Sequence, residues 1–270
     1  MRGIWAVTVV TFREGIRNRA FYGISIIALL LLAANLVIAG LIPQDVGKVA
    51  VDIALSTVSF SGLLVVLFIG INLVAKDLDR RTIYMVISRP ISRQGYIVGK
   101  FFGTAALVMA AVIIIGIFAA ISIFVTNLSF PAYFPRFAWI GVVLAISYTA
   151  LSLVLLTAIS LLFASFTSNS FITLVLTVIV YVIGHSLYDV KALLEGGSQI
   201  ATDASGAVVK AVQIAYYLFP NLSLFDLKLQ AAHALSIPTP YLFWVALYGV
   251  GYSAFMIGLA ALVFSRREFP

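Results

Sequence analysis

The chain has 270 residues, 63% of them hydrophobic and only 10% charged, with a net charge of +7, whereas a soluble domain carries about one quarter charged residues. That balance excludes an ordinary soluble enzyme and marks an all-α polytopic membrane protein. There is no cysteine, which excludes disulfides, thiolate metal sites and thiol redox chemistry.

In residues 1–20, Ile4, Trp5, Val9, Phe12 and Ile16 fall near one helical face and Arg13 and Arg17 on another, the pattern of an amphipathic helix lying in the membrane interface. The apolar run that follows is about twice the length of a signal-peptide core and no A-x-A-like site closes it, so it is expected to stay as the first span. Residues 20–44, 53–75, 101–135 and 229–265 contain no Asp, Glu, Lys or Arg, and each exceeds the roughly 20 residues that cross a bilayer. Residues 137–188 are also free of charge, too long for one span, and the polar cluster Ser165, Thr167, Ser168, Asn169, Ser170 supplies a turn. Six spans follow, near 21–42, 53–75, 101–126, 138–163, 171–188 and 241–264, in a single transmembrane domain over 1–270.

Of the 17 Lys and Arg residues, all but Lys48, Arg136, Lys191, Lys210 and Lys228 lie in the N-terminus, the 76–100 loop and the C-terminus. Basic loops stay cytoplasmic, so both termini are expected in the cytoplasm and the chain in the cell's inner (plasma) membrane. Topology therefore accounts for the basic balance, and no nucleic-acid partner is expected.

The 76–100 loop combines charges with an apolar patch over Thr82–Ile87, and Pro90 pushes Arg89 out of the helical region. Ser92 is then placed to cap a second helix running through Tyr96 into the third span. A helical hairpin on the cytoplasmic surface, presenting Arg80, Arg81, Arg89 and Arg93, would suit docking to a soluble partner.

Tyr181, His185 and Tyr188 share a stripe on the fifth span, which either lines a substrate path or anchors the outer end of that helix. The 189–240 loop is expected outside. Within it Gly206–Phe219 is too apolar for a free loop and too short to span, Pro220 interrupts it, and Ser223 with Asp226 makes a capping-box pattern. Re-entrant or interfacial short helices are expected there, and Thr239-Pro240 opens the sixth span.

Motifs for catalysis are missing. Gly95-Tyr-Ile-Val-Gly99-Lys100 resembles a phosphate-binding loop, but three residues separate its glycines where four are needed and Phe101 follows the lysine where Ser or Thr would hold magnesium. The chain is therefore expected to hydrolyse no ATP itself. The spans hold no carboxylate, Lys or Arg of the kind ion-driven carriers retain.

Asp77-Leu-Asp79-Arg80-Arg81-Thr82, then Ile87-Ser88-Arg89-Pro90-Ile91-Ser92-Arg93, then Tyr96-Ile-Val-Gly99-Lys100-Phe101 resemble the first cytoplasmic loop of type-2 exporter permeases of ATP-binding-cassette (ABC) transporters. The likeness is strongest to the branch containing the permease of the nitrous-oxide-reductase maturation transporter, although Arg81 stands where Gly is usual and Asp77 and Asp79 where Glu is usual. The order of the remaining pieces agrees: Phe163-Ala-Ser165-Phe-Thr-Ser168, Pro220-Asn221-Leu-Ser-Leu-Phe225-Asp226 and Phe264-Ser-Arg266-Arg267. The resemblance implies a half-transporter in which two permease chains pair and separate cytoplasmic ATPase subunits, carrying ATP and Mg, bind beneath. It makes Asp77, Asp79, Arg80, Arg81, Thr82, Ser88, Arg89 and Pro90 the ATPase-coupling residues, and Tyr181, His185, Tyr188, Pro220 and Asn221 the pathway or external-gate residues. No metal or cofactor in the chain is implied, and a periplasmic or external partner is compatible with the pattern. Two other classes stand beside this reading, a membrane scaffold that recruits an ATPase without transport and a secondary carrier. Gly99-x-x-x-Gly103 and Ala254-x-x-x-Gly258, with the small residues around Gly249 and Gly251, offer close helix contacts for a homodimer or a heterodimer with a similar permease.

Overall fold

The computed structural model describes residues 2–41, 45–73, 92–134, 137–167, 169–195 and 206–266, which are helical with no strand among them. Six helices are long and apolar enough to cross a membrane, as the charge-free runs require. A short helix, α1 (Arg2–Ile16), turns at Arg17–Asn18 into α2 (Arg19–Leu41). Next comes α3 (Val46–Leu64), which continues through a π-helical stretch, Val65–Gly70, to Leu73. Then follow α4 (Arg93–Ser129), α5 (Trp139–Phe166) and α6 (Ser170–Glu195). The last helices are α7 (Gly206–Leu218), the single-turn α8 (Lys228–Ala232) and α9 (Thr239–Arg266).

Local chemistry explains several boundaries. Ser92 is extended and its Oγ accepts the Gly95 amide at 3.1 Å, capping α4 where the sequence placed the cap. At 37 residues α4 is about 55 Å long, longer than a hydrocarbon core of about 30 Å. The turn between α5 and α6 uses the expected polar residues: Thr167 Oγ1 donates to the Phe163 carbonyl at 2.8 Å and Asn169 Oδ1 accepts the Phe171 amide at 2.8 Å. α3 and α5 form the centre of the bundle, with 61% and 56% of their apolar windows buried against 28% for α2, α6 and α9. Asn35, wholly buried, ties three helices together by donating to the Ala50 carbonyl at 3.0 Å and to Ser122 Oγ at 3.2 Å.

Four expectations change. Phe12 and Ile16 of the expected apolar face do pack against the core, but Trp5 is 70% exposed, and the contact with α4 is made by Ile4, Val7, Thr8, Thr11 and Gly15. A search for apolar periodicity missed this because helices in a membrane pack through small residues rather than large ones. For the same reason Gly99-x-x-x-Gly103 belongs to an internal contact: Thr8 Oγ1 donates to the Gly99 carbonyl at 3.2 Å. Gly249 likewise faces Phe225 and Leu151 of its own chain, whereas Gly251 and Gly258 have nothing within 4 Å. Lys100 is a buried charge after all, 4% exposed, its Nζ donating to the Leu73 carbonyl at 2.9 Å. It precedes the uncharged stretch by one residue, and α4 carries it into the interior against the end of α3. Finally, Ser223 and Asp226 form no capping box. Asn221 Oδ1 accepts both the Ser223 amide at 3.2 Å and Ser223 Oγ at 2.6 Å, and Asp226 Oδ1 accepts the Lys228 amide at 3.1 Å, so Asn221 and Asp226 each fold a tight turn.

Candidate functional site

The end of the bundle opposite the two chain termini is closed by residues 219–238, which bend inward rather than lying over the top. Leu222, Phe225, Leu227 and Ala231 are buried there among the ends of α3, α5, α6 and α9. Gly184 makes the approach to α6 feasible. The Leu222 amide donates to its carbonyl at 3.0 Å, and a Cβ at that position would lie 2.7 Å from the Pro220 carbonyl oxygen. Three tyrosines hold the segment and the helix after it. Tyr241 Oη donates to the Leu224 carbonyl at 2.8 Å, Tyr248 Oη accepts the Asn221 amide at 3.1 Å, and Tyr148 Oη donates to the Leu242 carbonyl at 2.6 Å.

Beside this plug lies a cavity of about 1030 Å³, lined by Asp52 and Ser56 of α3, His185, Ser186 and Tyr188 of α6, and Ser223 to Gln230 and Leu235 to Tyr241 in part. It shares His185, Asp226 and Lys228 with a smaller, deeper pocket whose floor is Ser59, Thr149, Ser152 and Tyr181. The Tyr181 and His185 rings meet at a 43° tilt with centroids 4.4 Å apart, and His185 Nδ1 is 3.3 Å from the Tyr181 carbonyl oxygen. Asp226 and Lys228 form an ion pair at 3.2 Å. The site is concave, as small-molecule sites are, but its lining is mostly polar: hydroxyls, His185, Gln230 and the charged groups Asp52, Asp226 and Lys228 outnumber the apolar side chains.

The sequence-derived residues divide in three. Tyr181, His185 and Tyr188 line the two connected cavities. Pro220 and Asn221 stand behind the lining, where they fix the plug against α6 and Tyr248. Asp77, Asp79, Arg80, Arg81, Thr82, Ser88, Arg89 and Pro90 lie outside the described residues. What is described is the pair of anchors on either side of them: the Lys100 ammonium on the Leu73 carbonyl and the Ser92 cap of α4. Sequence reasoning missed Asp52, Ser56 and Ser59. Their spacing of four and three places them on one face of an otherwise apolar helix, a period that could have found them. No group of three or more metal-ligating side chains occurs among the described residues.

A sequence profile described as ABC-2 family transporter protein matches residues 5–269. The chain belongs to the ABC-2 transporter family. The match spans all six membrane helices, α1 from its fourth residue and the plug segment. Among curated proteins none matches the chain. Membership makes this polytopic protein the membrane component of an ABC transporter, a permease rather than a catalyst.

Proposed function

We propose that the chain is half of an exporter's transmembrane pathway, driven by ATP hydrolysed in a separate cytoplasmic ATPase that docks on residues 76–100. The observation that carries this reading is the family match over 5–269, joined to a sequence with no phosphate-binding loop of its own. The placement of Lys and Arg supports an orientation with the termini and the 76–100 segment in the cytoplasm and the plug outside. The order of the loop motifs supports kinship with the nitrous-oxide-reductase maturation branch, and an inner-membrane location follows from that kinship. Lys100 fits the same picture. Its ammonium donates to the Leu73 carbonyl, which ties the residue closing the docking segment to the described turn that precedes it.

Two copies, or this chain and a similar permease, complete the pathway, with the exposed small residues Gly251, Ala254 and Gly258 of α9 free for a second chain. Coexpression with a cassette ATPase and reconstitution in nanodiscs tests the proposal. A complex that copurifies and hydrolyses ATP in a vanadate-sensitive way is expected; a chain that binds no such ATPase would contradict it.

A further inference from the structure

The polar face of α3 runs inward from the far end of the bundle as Asp52, Ser56 and Ser59, with Ser59 about 10 Å along the helix from Asp52. A polar stripe of that length is costly inside a bilayer unless it lines a water-filled or ligand-filled space, and here both cavities lie along it. Its charge is one-sided. Besides His185 the lining has two carboxylates and one ammonium, and that ammonium, Lys228, is committed to Asp226 at 3.2 Å. The nearest cation on α3, Lys48, pairs with Asp45 at 2.8 Å. Asp52, an exposed residue on the rim of the cavity, therefore has no ion pair with a cation among the described residues. A second group there also lacks a partner: Gln230 Oε1 is buried without a hydrogen bond among the described residues, and it too is an acceptor. Serine, threonine and tyrosine hydroxyls make up the rest of the polar lining.

We propose that this cavity is a binding site for a small organic cation of the ammonium class, with Asp52 as its counter-ion and Ser56, Ser59, Ser152 and Gln230 as neutral acceptors along the way inward. The proposal rests on the permease reading and deepens it by giving the substrate a chemical class. At about 1030 Å³ the outer chamber takes a molecule of drug size, since such sites commonly measure about 300–1,000 Å³.

The natural absence of cysteine gives a test that needs no knowledge of the substrate. S56C, S186C and S59C are made one at a time, and their modification from outside by a trimethylammonium-ethyl and a sulfonato-ethyl methanethiosulfonate is timed, each rate normalised to that of a free thiol. A carboxylate about 6 Å away through water favours the cation over the anion by about tenfold. That ratio is expected at S56C and S186C, with slower modification at S59C, and it should fall towards one when D52N is added. Because both reagents attack the same thiolate, any shift in its own reactivity cancels. Equal rates for the two reagents, a preference that D52N leaves unchanged, or no outside modification at any of the three positions would overturn the site. None of these results touches the permease assignment, which fails separately if no ATPase associates.

Discussion

The glycines of α4 give the sharpest test of the packing. A Cβ on Gly103 would lie 2.6 Å from Thr11 Cβ and 2.8 Å from the Thr8 carbonyl oxygen, and one on Gly99 2.8 Å from Val7 Cβ and 2.9 Å from the Ile4 carbonyl oxygen. Backbone atoms and β-carbons cannot rotate aside, so either alanine must push α1 off α4. Overpacking of this kind costs about 1–3 kcal/mol per site, and alanine returns about 0.5–1 kcal/mol through helix propensity. Separation also stretches the Thr8–Gly99 hydrogen bond, worth about 1 kcal/mol. G99A/G103A should therefore lose about 2–5 kcal/mol, the sum of two net site costs and the bond. G23A in α2, with nothing within 4 Å, meets only the propensity term and should be more stable by about 0.5–1 kcal/mol. Thermal denaturation in detergent, followed by size-exclusion chromatography, reads both stability and oligomeric state. If G99A/G103A keeps its midpoint and instead turns an oligomer into a monomer, these glycines face a second copy and the α1–α4 contact is wrong.

Three further outcomes follow from the same geometry. Replacing Asn35 by Leu removes donors to Ala50 and Ser122 and should cost about 1–3 kcal/mol, at about 0.6–1.7 kcal/mol per membrane hydrogen bond; an unchanged denaturation midpoint would refute the three-helix tie. Ala234 closes the turn after α8 at φ 50°, where a side chain costs about 1–2 kcal/mol, so A234G should stabilise by up to about 1 kcal/mol after its entropy cost, and a lower melting temperature would contradict this. Single cysteines at residues 90, 200 and 230, labelled with an impermeant reagent in intact cells, should react from outside at 200 and 230 only, as the Lys and Arg asymmetry requires.

The spans were legible because a charge inside lipid is expensive, so charge-free runs of adequate length can hardly be anything else. Ser92, the 165–170 turn and Thr239-Pro240 were legible because capping and turn chemistry are local. What was hidden depends on tertiary neighbours. Thr8 and Thr11 do not look like a buried face until the glycines of α4 are opposite them, and Lys100 does not look buried until the end of α3 meets it. Ser223 and Asp226 have the spacing of a capping box, yet Asn221 and the Lys228 amide lie closer and take their hydrogen bonds. The cavity required both the stripe on α3 and the inward bend of the plug, and only the stripe can be read from spacing.

The central claim is that this permease is driven through its 76–100 segment, and the most direct measurement is ATPase association and ATP hydrolysis by the reconstituted complex when Asp79, Arg80 and Arg89 are all replaced by Ala. Truncating charged partners buried in an interface costs about 2–5 kcal/mol, whereas surface substitutions shift folding stability by about 0.5 kcal/mol or less. The triple variant should therefore insert and fold like the wild type, yet bind the ATPase at least about thirtyfold more weakly and lose stimulated hydrolysis. The control, Lys191, Glu195 and Lys210 to Ala, should bind normally. A loop variant that recruits and stimulates the ATPase as the wild type does would contradict the account.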